Sequence, residues 1–135
     1  MNLWLFKTDP GTYAWQDLQA MKKERWDGVS NNLALKHLRS VKAGDQIFIY
    51  HSGEEKAIVG IAKAASDSYP DPSRKDPKFA VVDIIPFEKL EKPVTLLKIK
   101  SNQGLESWEL VRLSRLSVMP VTPFQWKEAL RLGKV

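Results

Sequence analysis

A chain of 135 residues is long enough to bury a real core and too short for two ordinary domains, so residues 1–135 are expected to fold as one unit. Ordinary globular usage, 43% hydrophobic and 27% charged, gives no case for disorder, and the absence of cysteine excludes disulfides, thiolate nucleophiles and sulfur-bound zinc. The formal net charge of +5 suits a polyanionic partner as well as it suits a plain lysine-rich surface, and residues 98–135 hold seven Lys/Arg against three Glu.

In chain order, Asn2 to Phe6 (NLWLF) reads as a strand ended by the turn residues Thr8, Asp9, Pro10 and Gly11. Trp15 and Leu18 fall at helical spacing, which predicts a short helix between Trp15 and Glu24. From Asn31 to Lys42 a second helix is expected, with Ala34, Leu38 and Val41 as its apolar stripe and either Asn31 or Asn32 as cap. Ile47 to Tyr50 and the stretch KAIVGIAKA are two strands joined by a connection short enough for a hairpin, which puts His51 and Ser52 at its tip.

Ser66 to Lys78 concentrates Pro, Asp and Ser and predicts a surface loop. FAVVDIIPF is a strand that Pro86 is expected to stop or to place at an edge. Thr95 is expected to cap a short helix ended by Gly104. The last helix carries its own start signal, with Thr122 as N-cap, Pro123 at the first helical position and Gln125 completing a capping box. Its predicted docking face is Phe124, Trp126, Ala129 and Leu130.

Short strands and helices interspersed without a regular period predict an α+β fold with a small mixed or antiparallel sheet, partly closed as a barrel. The start of the chain lacks a signal-peptide pattern and no segment reaches the length of a membrane span. A soluble intracellular protein is therefore expected, cytoplasmic, or nuclear in a eukaryote, with no membrane partner.

Few chemical constellations are present. His37 has no ligand partner at metal spacing, and His51 and Ser52, as strand neighbours, point to opposite faces and do not form a nucleophile and base. No phosphate-binding glycine loop or cofactor motif occurs, and no catalytic residue, metal or cofactor is predicted. The positive signal is aromatic: five Trp, three Tyr and five Phe, of which Trp4, Trp15 and Trp126 are assigned to the core, while Trp26 and Tyr69 stand beside turns or loops.

Taken together and in order, WLFKTDP, WDGVSNN, IYHSGEEKAIVGIAKA, YPDPS and LSRLSVMPVTPFQW resemble the EVE domain family over nearly the whole chain. The resemblance implies a PUA-like fold, a β-barrel wrapped by short helices and related to the YTH domains. It also implies a non-enzymatic reader of a modified or extruded base in RNA or DNA. Carried onto this chain, the implied base-binding positions are Lys7, Thr8, Trp26, Gly28, Val29, Asn31, His51 and Ser52, with Tyr69, Pro70, Arg115, Leu116 and Ser117 as walls.

Two positions depart from the family pattern, because Ser30 stands where an arginine is usual and Asn32 where an aromatic is common. In this reading Trp26 is the stacking platform, left open at the rim of a cleft and held by the Asp27–Gly28 turn. Asn31 offers a donor and an acceptor to a base edge. The competing reading is a small-molecule pocket or enzyme acting on nucleosides or another planar metabolite. A protein-interaction domain would need a broad apolar patch instead.

Overall fold

Trp4, Leu5 and Phe6 are all buried, an unbroken apolar run, because the strand that holds them, β1 (Leu3–Thr8), is covered on both faces. The computed structural model describes residues 1–134. The chain continues through α1 (Trp15–Met21), β2 (Glu24–Trp26), α2 (Asn32–Leu38), β3 (Gln46–His51), β4 (Ala57–Ala64), β5 (Tyr69–Pro70) and β6 (Ala80–Thr95). It closes with α3 (Leu96–Lys100), a 3-10 turn (Gln103–Leu105), α4 (Glu109–Arg112), β7 (Val118–Pro120) and α5 (Pro123–Gly133).

The sheet runs β2-β6-β4-β3-β1-β7, with β5 on β6, and curls into a half-barrel. β1 and β3 are parallel, from Leu3 opposite Gln46 to Thr8 opposite His51, and the other pairings are antiparallel. Parallel pairing brings the C-terminal ends of β1 and β3 to the same edge, so Thr8 and His51 are neighbours although 43 residues apart.

Several expectations are corrected. Pro86 does not stop its strand: β6 runs on to Thr95 through a register shift against β4 between Ile61 and Ala62, and Pro86 lies beyond the stretch Val82–Ile84 that pairs with β2. A bulge with one free edge is where a residue lacking an N–H is tolerated. The first helix ends at Met21, capped by Lys22 in the left-handed region (φ 64°), and Glu24 already belongs to β2. α2 ends at Leu38, so Val41 packs from the following turn.

Gly104 lies in the 3-10 turn, after α3 has ended at Lys100. Phe124 is not on the docking face of α5: it is 56% exposed and rests on Gly104, while Gln125 is buried in its place. The Thr122 capping box is present as expected, with Thr122 Oγ1 accepting from the Gln125 amide at 3.1 Å and Gln125 Oε1 accepting from the Thr122 amide at 2.9 Å.

The core holds Trp4, Trp15 and Trp126 as predicted, and also Trp108. Trp126 stacks on Phe48 at 3.8 Å between ring centroids, which docks α5 onto β3. Trp15 presses its ring so closely on β4 that a Cβ at Gly60 would lie 2.7 Å from three of its carbons. With Trp15 only 1% exposed, the ring has nowhere to retreat. Gly60→Ala is therefore expected to destabilise the fold by about 1–3 kcal/mol, read as a lowered denaturation midpoint. An unchanged midpoint would show that the ring yields.

Candidate functional site

The N-terminal turn prepares the site. After β1, Asp9 O accepts the amides of Thr12 and Tyr13 (2.9 and 2.8 Å), and Thr8 Oγ1 donates to Tyr13 O at 2.7 Å. The segment folds back and sets the Tyr13 ring edge-on to Trp26, 6.0 Å between centroids at 81°. Phe6 packs on Trp26 at 5.5 Å. Gly28 adopts φ 75°, a conformation open to glycine, and so turns the chain directly after Asp27.

These residues enclose a hollow of about 400 Å³ lined by Thr8, Tyr13, Glu24, Trp26, Asp27 and Gly28, with Thr12 and Arg25 completing it. That volume lies in the range of ligand pockets, about 300–1,000 Å³. Trp26 is 8% exposed, so its ring is a wall of the hollow, braced by Phe6 and Tyr13, and not the open platform the sequence suggests. The Tyr13 hydroxyl is buried and has no hydrogen-bond partner among the described residues. Burial, and behind it the Glu24 carboxylate, hold the Tyr13 phenol above the ordinary tyrosine range, so it keeps its proton. Thr8 spends its proton on Tyr13 O and presents lone pairs.

The predicted site residues divide among several places. Thr8, Trp26 and Gly28 meet in this hollow, and Val29 packs against the core. Lys7 and Ser52 line a second hollow of about 300 Å³ with Tyr50, Lys56, Lys100 and Ser114. Asn31, Arg115 and Leu116 line a third, of about 350 Å³. Asn31 is also the cap of α2, its Oδ1 accepting from the Ala34 amide at 3.0 Å. Strand alternation explains the division between Lys7 and Thr8, since successive side chains leave on opposite faces.

The remaining predicted positions line none of these three hollows. His51 is buried, accepts the Trp15 amide on Nε2 at 2.9 Å and meets Glu55 through Nδ1 at 2.7 Å. An amide donor into Nε2 leaves the ring proton on Nδ1, facing Glu55, and His51 thereby ties the β3–β4 hairpin to α1. Tyr69 donates to Asp83 Oδ1 at 2.7 Å, and Tyr69 and Pro70 pair with Val81 and Ala80. Ser117 O accepts the Lys7 amide at 2.9 Å.

Sequence reasoning missed Tyr13, Glu24 and Arg25. The turn at Asp9–Gly11 was the available signal for Tyr13. It also missed Lys56 and Lys100, which meet because Lys56 O accepts the Leu96 amide at 2.8 Å, a contact without local signature.

Tyr50 is buried, and loss of solvent pushes the pKa of its hydroxyl up to about 12. Its value in an unfolded chain is about 10. The folded value being the higher, its contribution to stability is complete below about pH 10 and is lost as pH rises through about 12. Alkaline titration followed at the tyrosinate absorbance is expected to show Tyr50 ionising late and together with loss of near-ultraviolet dichroism. Ionisation at ordinary pH in a folded chain would contradict this.

The half-barrel of mixed sheet with short helices packed against it defines the PUA-like class. A family model described as the EVE domain matches residues 2–132, and the chain belongs to the EVE domain family. Thymocyte nuclear protein 1 of Rattus norvegicus is 32% identical over 155 residues, covering 90% of this chain and 69% of the relative. The NMR structure of Rpa0253 from Rhodopseudomonas palustris has a TM-score of 0.94 at 40% identity and covers 99% of this chain and 94% of that one. The crystal structure of human THYN1 in complex with 5-methylcytosine-containing DNA has a TM-score of 0.90 at 28% identity, covering 100% and 99%. No helix among the described residues is long and apolar enough to cross a membrane.

Proposed function

We propose that this chain is a non-enzymatic nucleic-acid-binding module that takes one modified base, extruded from its strand, into the hollow beside Trp26. The observation that carries the reading is the conjunction in one cavity of an indole wall, a buried Tyr13 hydroxyl and the carboxylate of Glu24. Extruding a base costs a few kcal/mol, and an aromatic contact returns about 1–3 kcal/mol. The polar groups then decide which base is kept. Thr8, Glu24 and Asp27 are acceptors, while Tyr13 and Arg25 donate. This mixture suits a base that carries an exocyclic amine beside ring acceptors, as cytosine does, and carboxylates are natural partners of that amine. The human relative solved with 5-methylcytosine DNA supports the same class of ligand.

The test is binding of matched DNA and RNA oligonucleotides with and without 5-methylcytosine, by wild type and by Glu24→Gln. Wild type is expected to prefer the methylated DNA. The variant, which exchanges one acceptor for a mixed amide, is expected to lose about 1–3 kcal/mol of base discrimination, about 5- to 150-fold. Equal binding of all bases by both proteins would refute base selection in this hollow. Thermal stabilisation by a free nucleoside without any oligonucleotide binding would put the function in the small-molecule class instead.

A further inference from the structure

Among the hollows outside the Trp26 cavity, two have walls whose charged residues are all basic; a third, lined by Glu54 and Glu55, shares Lys56 and Lys100 with the first of them. Lys7, Lys56 and Lys100 line one, Arg112 and Arg115 the other, and no aspartate or glutamate lines either. Ser114 belongs to both. The first hollow adjoins the Trp26 cavity through the backbone, because the Ser52 amide donates to Thr8 O at 2.9 Å, with Ser52 lining one space and Thr8 the other. None of the five cations takes part in an ion pair among the described residues, where the pairs formed are Lys23–Asp83, His51–Glu55 and Arg131–Glu128.

Lys56 carries a further signal. Its φ is 47°, in the left-handed region, and unlike Lys22 and Lys134 it caps no helix. A side chain there costs free energy that glycine would not. The hairpin nevertheless holds a lysine at the mouth of the hollow, and strain kept at one residue is a mark of function when a specific group is delivered by it. Lys7 lines the same hollow, its Nζ donating to Ser114 O at 2.9 Å and lying 5.6 Å from the centroid of the Tyr50 ring.

We propose that these two hollows bind the backbone phosphates flanking the extruded nucleotide, so that Lys7, Lys56, Lys100, Arg112 and Arg115 form a phosphate track leading to the base cavity. The inference rests on the nucleic-acid reading above and adds to it the residues that hold the strand. A half-buried lysine without a carboxylate partner, its pKa lowered by burial, is a charge that a phosphate would relieve. Phosphate contacts give affinity without base preference and are dissected by salt.

The test measures binding of a DNA duplex carrying one 5-methylcytosine, and of its unmethylated twin, between about 50 and 200 mM salt. Lys56→Gly, Lys100→Gln and Arg115→Gln are each expected to make the slope of log K against log salt shallower by about 0.9. Each should weaken both duplexes by the same factor and leave their ratio unchanged. Lys127→Gln, at a lysine lining neither hollow, should leave the slope as it is. Lys56→Gly should melt at the same temperature or higher, because glycine accepts that backbone, so weaker binding cannot be charged to unfolding.

Unchanged slopes in all three variants, with a steep slope in wild type, would overturn the track and leave the base reading standing. Equal competition by polyglutamate and by unmethylated DNA would also overturn it, as the surface would then serve acidic polymers in general. Shallower slopes with no preference for the methylated duplex would support the track and remove the base reading. Failure of wild type to bind either duplex would remove both.

Discussion

Trp26→Ala is expected to weaken binding of a 5-methylcytosine oligonucleotide about 5- to 150-fold, the equivalent of about 1–3 kcal/mol of stacking on one base. The loss should fall on the methylated ligand more than on its unmodified twin, because in the proposed complex the ring forms the wall against which the base lies. The same change removes a side chain that is 8% exposed and packed on Phe6 and Tyr13, so it should also destabilise the fold by about 3–5 kcal/mol. The two effects are separated by working well below the melting transition and by Trp26→Phe, which keeps an aromatic wall. That variant should retain a larger part of both stability and binding. An alanine variant that is folded and binds as tightly as wild type would refute the stacking role.

The second large effect is expected at the start of β1, the end away from the Trp26 cavity. Asp45, 2% exposed, accepts the Asn2 amide on Oδ1 at 3.0 Å and the Trp4 indole N–H and Lys42 amide on Oδ2, both at 2.9 Å. One carboxylate thus fastens the start of β1 to the turn entering β3. Asp45→Ala leaves a buried indole N–H without an acceptor and releases two backbone donors. Each such loss costs about 1–3 kcal/mol, less where water replaces the partner, and about 3–5 kcal/mol in all is expected. Urea unfolding should show a lower midpoint with an unchanged slope. Asp45→Asn, which retains an acceptor, should cost less than half as much. Equal stability of the alanine variant would mean that the three donors find water. In contrast to Trp26, the variant that remains folded should bind with unaltered preference.

What the sequence disclosed follows physical lines. β1, β3 and β4 were legible because strands covered on both faces are continuous apolar runs, and α5 because Thr122, Pro123 and Gln125 form a cap whose chemistry is local. β2, β5 and β7, two or three residues each, were not, since they exist only through pairing with β6 and β1. The course of β6 past Pro86 was decided by a bulge against β4.

Of the positions that the family resemblance names, Thr8, Trp26 and Gly28 line one cavity. The other positions proved to lie in separate hollows or inside the scaffold, because a motif records neighbours along the chain and not which side of the sheet each residue takes. Trp26 was expected to be open, yet the ring needs Phe6 and Tyr13 behind and beside it, and Phe6 belongs to a strand whose face cannot be assigned until its partners are known.

The parallel pairing of β1 with β3 carries a consequence for how such a module can change. Fastening sits at one end of β1, where Asp45 gathers its donors, and the hollow proposed for recognition sits at the other, where the segment after Thr8 turns back toward Trp26. Substitutions around that hollow are therefore remote from the anchorage, and the scaffold can diverge in taste while its foundation stays the same.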